Sequence, residues 1–386
     1  MDTIIRNGLI HDAVHEGPFT GDILISGGKI AAIGTELAAS SDARTVDASG
    51  LYIYPGLVEA HGHIGLDGWA VGYEGHDYNE YNDPVTPQLR AIDAINPFDE
   101  SLRDAVSGGV TTLCTGPGSS NVLGGTFAAF KPVGTCIDDM CLLPQAAMKC
   151  AFGENPKRCY KDKGISSRMS TAARLREMLY KACEYRDKLD AAGDDPAKKP
   201  AFDIRLEALL PVVRGEMPLK AHAHQANDIL TAMRIAKEFG VKLTLEHVTE
   251  GALIADILAK ANIPLAIGPT FGQPSKIELK NKSWDTPVAL NAAGCSVSII
   301  TDSPVTQQSH LRFCAGMAIA SGMTPFDALR AITINPARHI GVEARVGSLE
   351  AGKDADLVIA DGSIFELQTN ILQTYIDGKE VFRASR

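Results

Sequence analysis

No Cys-X-X-Cys pair occurs in this sequence, although eight cysteines are scattered through it at positions 114, 136, 141, 150, 159, 183, 295 and 314. That scatter argues against a cysteine zinc cradle and suits free thiols in a reducing compartment better than a disulfide framework. There is no stripe of lysine and arginine, and the net charge of -10 is reached without an acidic block. Such a balance favours solubility and argues against nucleic acid or an anionic membrane as the main partner. No apolar run approaches membrane-spanning length, and the opening residues, Met1 to Gly8, lack the charged, apolar and small-residue sections of a signal peptide. The expectation is a soluble, cytoplasmic protein. The glycines at 116, 118, 124 and 125 have neither the Walker nor the dinucleotide-binding spacing, so they read as turns and not as a phosphate cradle.

What is present starts with size. A chain of 386 residues, 45% apolar and 22% charged, is long for one small domain and about right for a large barrel with an accessory unit. The first fifty residues read as short strands over Thr3 to Ile10, Asp22 to Ser26 and Lys29 to Ile33, the last two joined by a two-residue hairpin turn at Gly27 and Gly28. A further strand is expected over Arg44 to Val46. Strands return at the far end, over Ala355 to Ala360 and over Thr374 to Phe382, which turns at Asp377 and Gly378. Each end is too thin to bury a core alone. The two therefore predict one composite β-sandwich domain from 1–52 and 345–386, around a central unit at 53–344.

In that central unit short apolar strands alternate with helical segments, the texture of a parallel α/β arrangement. Eight strands are expected: Tyr52 to His63, Val110 to Thr115, Thr126 to Lys131, Ala146 to Ala151, Pro218 to His224, Lys242 to His247, Pro264 to Gly268 and Ser296 to Asp302. Eight strands fit a (β/α)8 TIM barrel. Apolar residues at helical spacing place helices over Asn227 to Phe239, Ala252 to Ala261 and Thr286 to Ala293. Two long excursions interrupt the alternation. Residues 65–97 have the length of a lid or binding loop. Residues 152–203 hold an amphipathic helix near Thr171 to Leu189 and a polar linker over Asp190 to Pro200.

The chemistry concentrates at strand ends. In an extended strand alternate side chains share a face, so His61 and His63 can aim two imidazoles at one ion while Gly62 leaves room for it. Imidazole is a common ligand of zinc and other divalent metals, yet the same pair also occurs on sheet surfaces. The other barrel strands add weight: His222 and His224 end strand five, His247 ends strand six and Asp302 ends strand eight, where a barrel of this type carries its active site. The alternative for Asp302 is a helix N-cap, since Ser303 and Pro304 follow, but its place at a strand end beside the histidines favours the site. His224 should share the face of His222 as a substrate contact, a ligand or a support for its neighbour.

With these pieces in place the chain resembles the amidohydrolase superfamily of metal-dependent hydrolases over nearly its whole length. The resemblance is carried by Pro55 to His63, Gly108 to Thr112, Ala221 to His224, Glu246 and His247, Thr301 and Asp302, Thr333 to Pro336, and Gly347 to Leu357. Within the superfamily it looks like the imidazolonepropionase-like and metal-dependent dipeptidase branch. The resemblance implies a barrel joined to a composite β-sandwich from both termini. It also implies His61, His63 and His222 as metal ligands, His247 as a ligand or substrate contact, and Asp302 as a ligand that takes the proton of the attacking water. Members with two metals bridge them with a carboxylated lysine on strand four, a position Lys149 matches; such a lysine is otherwise a snorkelling side chain. Glu154 competes for this place as a glutamate ligand.

The implied cofactor is a divalent metal, zinc first, with iron or manganese as alternatives and one or two ions. The implied reaction is hydrolysis of an amide C-N bond in a small cyclic amide, N-acyl amino acid or dipeptide. Alternatives are deamination of a heterocycle and a non-catalytic binding role. A small-molecule substrate is the expected partner, with homo-oligomerisation open. His76 and Tyr73 read as surface residues of the first long loop, and His11, His15, His310 and His339 as structural or surface residues. Arg90, Arg158, Arg168 and Arg312 are candidates to clamp a substrate carboxylate, because guanidinium suits bidentate pairing.

Overall fold

In the computed structural model, which describes residues 2–67 and 72–385, the chain forms two eight-stranded sheets. Part of the 65–97 excursion, residues 68–71, lies outside the described residues. The barrel sheet uses its strands in sequence order: one (Leu57–Gly62), two (Val110–Thr115), three (Leu123–Phe130), four (Cys141–Ala151), five (Leu219–Ala223), six (Leu243–His247), seven (Leu265–Ile267) and eight (Val297–Ile299). The seam between strands one and eight is bridged by side chain and loop. Glu59 accepts from the Thr301 N–H at 3.0 Å and from the Thr301 hydroxyl at 2.6 Å, and the His63 N–H donates to Ser303 O at 2.7 Å.

Two expectations about the strands change. Strand three runs antiparallel to strands two and four, whereas every other adjacent pair in the sheet is parallel. The reason is length. Residues 116–122 are all that separate strand two from strand three, and a parallel crossover needs a dozen residues or more. The glycine-bearing stretch from Gly116 is the turn that sends the chain back down the barrel. The expected strand over Tyr52 to His63 is two strands, Tyr52–Pro55 in the other sheet and Leu57–Gly62 in the barrel. Gly56 divides them, because a Cβ there would lie 2.0 Å from the Thr111 hydroxyl oxygen.

The second sheet unites the termini in the order Lys379–Arg383, Ile371–Ile376, Leu357–Ala360, Tyr52–Pro55, Thr3–Ile10, Phe19–Ser26 and Lys29–Gly34. Arg44–Asp47 pairs with the first half of Thr3–Ile10 and Tyr52–Pro55 with its second half, on either side of a register shift between Ile5 and Gly8. The hairpin at Gly27 and Gly28 forms with φ of 56° and 79°, the left-handed pair that a tight two-residue turn requires. The two sheets are tied by Lys131, whose buried Nζ donates to Asp354 at 2.8 Å, Asp356 at 3.0 Å and Asp377 at 2.6 Å.

Helices cover the barrel. Ala226–Phe239, Ala255–Ala261 and Asp285–Ala292 match the expected segments, the second shortened because Gly251–Ile254 is a 3-10 turn. The helix expected near Thr171 to Leu189 spans Arg168–Ala192 and starts at a capping box of Ser167 and Ser170. No described helix is long and apolar enough to cross a membrane. The barrel interior is unusually polar. Phe127, on the inward face of strand three, lies 5.3 Å from the ammonium groups of both Lys149 and Lys220 and 5.1 Å from the His61 ring.

Candidate metal centre

The ends of strands one, four, five, six and eight bring His61, His63, Lys149, His222, His224, His247 and Asp302 to one end of the barrel. The six side chains other than Asp302 are buried, and Asp302 is nearly so. One ligand atom from each of His222, His224 and His247 lies within 4.8 Å of the others, and the same holds for His61, His247 and Asp302, so His247 belongs to both groups.

Strand register explains how these side chains converge. Strand five pairs with strand six so that His222 is level with Glu246 and Ala223 with His247. Level residues of a parallel pair share a face, so the pleat that aims Glu246 inward with His222 would aim His247 outward. A φ of 74° at His247 releases it from the pleat, and its ring comes to 4.4 Å from that of His222. Asp302 also has positive φ, 51°. Left-handed backbone at non-glycine residues costs energy and gathers at functional sites.

Three histidines have their outer ring nitrogen committed. His63 Nδ1 and His247 Nδ1 each lie 2.7 Å from a carbonyl oxygen, of Gly116 and Gly268 respectively, and a carbonyl only accepts, so both nitrogens donate. His61 Nδ1 lies 3.1 Å from the Glu246 carboxylate. In the neutral rings the Nε2 lone pairs are then left for the centre. Burial holds the pKa of His61 and His222 well below the usual histidine value and lowers that of His247 to about 4, so these rings are neutral.

Two contacts follow that protein atoms alone do not satisfy. His63 Nε2 faces Asp302 Oδ1 at 3.2 Å, a lone pair against a carboxylate, and that oxygen has no hydrogen-bond donor among the described residues. Both ring nitrogens of His222 are buried and without a hydrogen-bond partner among the described residues. Buried polar atoms are ordinarily paired, and an orphan is costly. A divalent cation would take one lone pair from each of these histidines together with Asp302 Oδ1, so the donor set fits such an ion. Asp302 is ready to share it: burial raises its pKa, but the imidazoles of His63, His247 and His61 around it outweigh burial and hold the carboxyl below the usual carboxylate range.

Lys149 Nζ lies 3.2 Å from His61 Nε2, and burial lowers its pKa to about 8. Glu154 does not enter the centre. Its carboxylate accepts from the Glu278 N–H at 3.1 Å, while its own N–H donates to Glu278 Oε2 at 2.9 Å. Glu278, in the irregular stretch after strand seven, is the carboxylate that arrives instead. It is buried, with Oε1 at 3.7 Å from His222 Nε2 and 3.8 Å from His224 Nε2. The sequence around Glu278 has no periodicity or motif that marks it.

Beneath the histidines lies an ionic network the sequence left unassigned. Glu246 accepts from Lys220 Nζ at 2.9 Å and from the Thr244 hydroxyl at 2.8 Å, and lies 2.9 Å from His339 Nε2. The Lys220 charge, opposing burial, holds the Glu246 carboxyl well below its ordinary value. Above the centre opens a cavity of 540 Å³, lined by His63, His222, His224 and Asp302 at its floor and by Tyr78, Tyr81 and Arg158 among others at its walls.

The remaining candidates divide plainly. Arg90 pairs with Asp93, Arg168 with Asp228, and Arg312 donates to the carbonyls of Ile364, Glu366 and Thr369, which leaves Arg158 as the arginine of the four that lines the cavity. His76 pairs with Asp67 and Tyr73 is exposed; neither lines the cavity. His11 stacks on Tyr54, His15 pairs with Asp12 and His310 packs on Phe313, all remote from the centre, while His339 supports it from below through Glu246.

Comparison with known proteins agrees with this architecture. Residues 212–381 match the Amidohydrolase family. The crystal structure of an amidohydrolase from Thermotoga maritima superposes with a TM-score of 0.96 at 38% identity, over 99% of this chain and 100% of that one. The amidohydrolase tasK of Hapsidospora irregularis is 27% identical over 94% of this chain, which spans 40% of tasK's length. An imidazolonepropionase of Thermoplasma volcanium is 28% identical over 88% of this chain and 83% of its own. The chain therefore belongs to the amidohydrolase superfamily, a family of hydrolases that act on carbon–nitrogen bonds.

Proposed function

We propose that this protein hydrolyses the amide C-N bond of a small substrate bound in the 540 Å³ cavity, at a divalent metal centre held by His61, His63, His222, His247 and Asp302, with Lys149 between them. The observation that carries the reading is the set of unsatisfied polar atoms at the cavity floor, His63 Nε2 against Asp302 Oδ1 and the ring nitrogens of His222, which have no hydrogen-bond partner among the described residues. When bound there, a divalent metal, zinc first, supplies an acidified water and a Lewis acid for the scissile carbonyl. Lys149, with its ammonium destabilised by burial, is the residue that as a free amine would add to carbon dioxide and lose one proton to give a carbamate, whose oxygens would supply a further anionic ligand.

The protein's own groups do the proton work. Asp302, held as a carboxylate, accepts the proton of the attacking water and passes it to the leaving nitrogen, which cannot depart as a bare anion. His224 keeps its Nδ1 on the Thr249 hydroxyl at 2.7 Å and turns Nε2 toward the cavity, where it orients the substrate carbonyl. The cavity walls hold the amide against this floor. Asp302→Asn should lower kcat by about a hundred- to ten-thousandfold, the usual worth of a positioned general base, while metal content by elemental analysis stays near that of the unaltered protein. Near-normal turnover of the variant sinks the assignment, and release of ammonia in place of an acid and an amine redirects it to deamination.

A further inference from the structure

The cavity has the wrong charge for the molecule around it. The chain carries a net charge of -10, yet the described cavity lining contains Arg158, Lys276 and Lys282 against a single carboxylate, Asp302. Lys276 is already spoken for: its Nζ lies 2.5 Å from Glu278 Oε1 and donates to the Asn155 side chain at 3.2 Å. Arg158 and Lys282 are in a different condition. Neither forms an ion pair with any described carboxylate. Among the described residues the Lys282 ammonium donates only to the Phe271 carbonyl, at 2.9 Å, and is partly withdrawn from water without a counter-charge. Arg158 projects from Glu154–Cys159, the short helix after strand four, and Lys282 follows the loop after strand seven, so two separate loops place uncompensated cations on one cavity.

We propose that Arg158 and Lys282 form a carboxylate-recognition clamp, so that the substrate is an N-acyl amino acid or a dipeptide with a free carboxylate, in preference to a neutral amide or heterocycle. The inference rests on the amide-hydrolase reading above and narrows it. Guanidinium offers a paired fork of N–H donors that matches the two oxygens of a carboxylate, and the ammonium adds a point charge. A cationic recess in an acidic protein also concentrates the anion at its mouth. The carboxylate sits on the leaving amine, which leaves the acyl carbon free to descend toward Asp302.

The test pairs each free acid with its own neutral counterpart. A panel of N-acetyl amino acids and dipeptides, each matched with its C-terminal amide, is assayed for kcat/KM with the metal-loaded protein, and for binding by calorimetry with the Asp302→Asn protein. The unaltered protein should prefer acids, and Arg158→Gln and Lys282→Gln should each reduce the acid-to-amide preference by about ten- to hundredfold, the worth of a hydrogen bond to a charged group. Arg158→Lys should restore part of it. Equal turnover of acids and amides, or a preference unchanged in both glutamine variants, overturns the clamp and leaves the hydrolase reading intact. Arg158-dependent binding of acids without turnover of any amide keeps the clamp and overturns the hydrolase reading. Absence of binding and turnover across the panel overturns both.

Discussion

Glu246 shows what a single residue contributes without reaching substrate. Its carboxylate accepts a hydrogen bond from the His61 Nδ1–H and is itself held ionised by Lys220, so it fixes which nitrogen of His61 faces the centre. Carboxylates behind metal-binding histidines commonly affect affinity by ten- to a hundredfold. Glu246→Gln should therefore weaken zinc binding by about that factor, measured by chelator competition on the folded protein, and should also lower its stability in denaturation, because glutamine leaves the buried Lys220 ammonium without its counter-charge. Unaltered affinity would show that His61 is oriented by packing against Phe127 alone. His61, His63, His222, His247 and Asp302 were legible because strand ends and spacing mark them. Glu246 stood beside His247 in the same motif, but its role depends on the inward pleat of strand six and on Lys220 and His339, which only the closed barrel brings to it. Glu278, Lys276 and Lys282 were illegible for a simpler reason: they lie in irregular chain after strand seven, where no period applies.

At the scale of elements, Gly56 is the joint between the two sheets. It ends a strand that belongs to the terminal sheet and starts one that carries His61, and it does so in contact with Thr111 of strand two. An added methyl would meet the Thr111 oxygen at 2.0 Å and its methyl carbon at 2.5 Å, with both residues in buried, tightly packed strands. Overpacking of this kind typically costs about 1–3 kcal/mol. Gly56→Ala should destabilise the protein by roughly that amount in chemical denaturation, and Thr111→Gly in the same chain should recover part of the loss. A Gly56→Ala protein as stable as the original would mean that strands one and two can slide apart without penalty. The alternation of strands and helices was readable from the sequence, and so were most strand positions. The reversal of strand three was not, because its apolar run reads the same in either direction; only the shortness of 116–122 carried the information.

The whole molecule depends on a buried charge cluster between its two sheets, and pH is the lever that exposes it. Lys131 leaves the end of strand three and meets Asp354, Asp356 and Asp377 from the terminal sheet and its approach. Asp354 has other partners, Lys29 and Arg345, so loss of Lys131 leaves it paired. Asp356 does not: among the described residues its side chain accepts, apart from Lys131, only the Asp377 N–H at 2.8 Å, and its Oδ2 is buried without a partner. Burial already raises its pKa to about 6 even with Lys131 beside it. A carboxyl raised in the folded state contributes stability fully below its unfolded pKa, near 4, and that contribution is lost as pH rises through 6. Removing Lys131 pushes the Asp356 pKa higher still, so the folded variant must either bury an unpaired charge or hold a proton from alkaline solution. Lys131→Met should consequently be destabilised by about 3 kcal/mol at pH 8, the scale of a broken buried pair. The deficit should shrink toward pH 5, where Asp356 is protonated in both proteins. Denaturation curves at the two pH values test this directly. A deficit independent of pH would assign Lys131 to packing, and the sheets would then be held together by their apolar contacts without help from the charges.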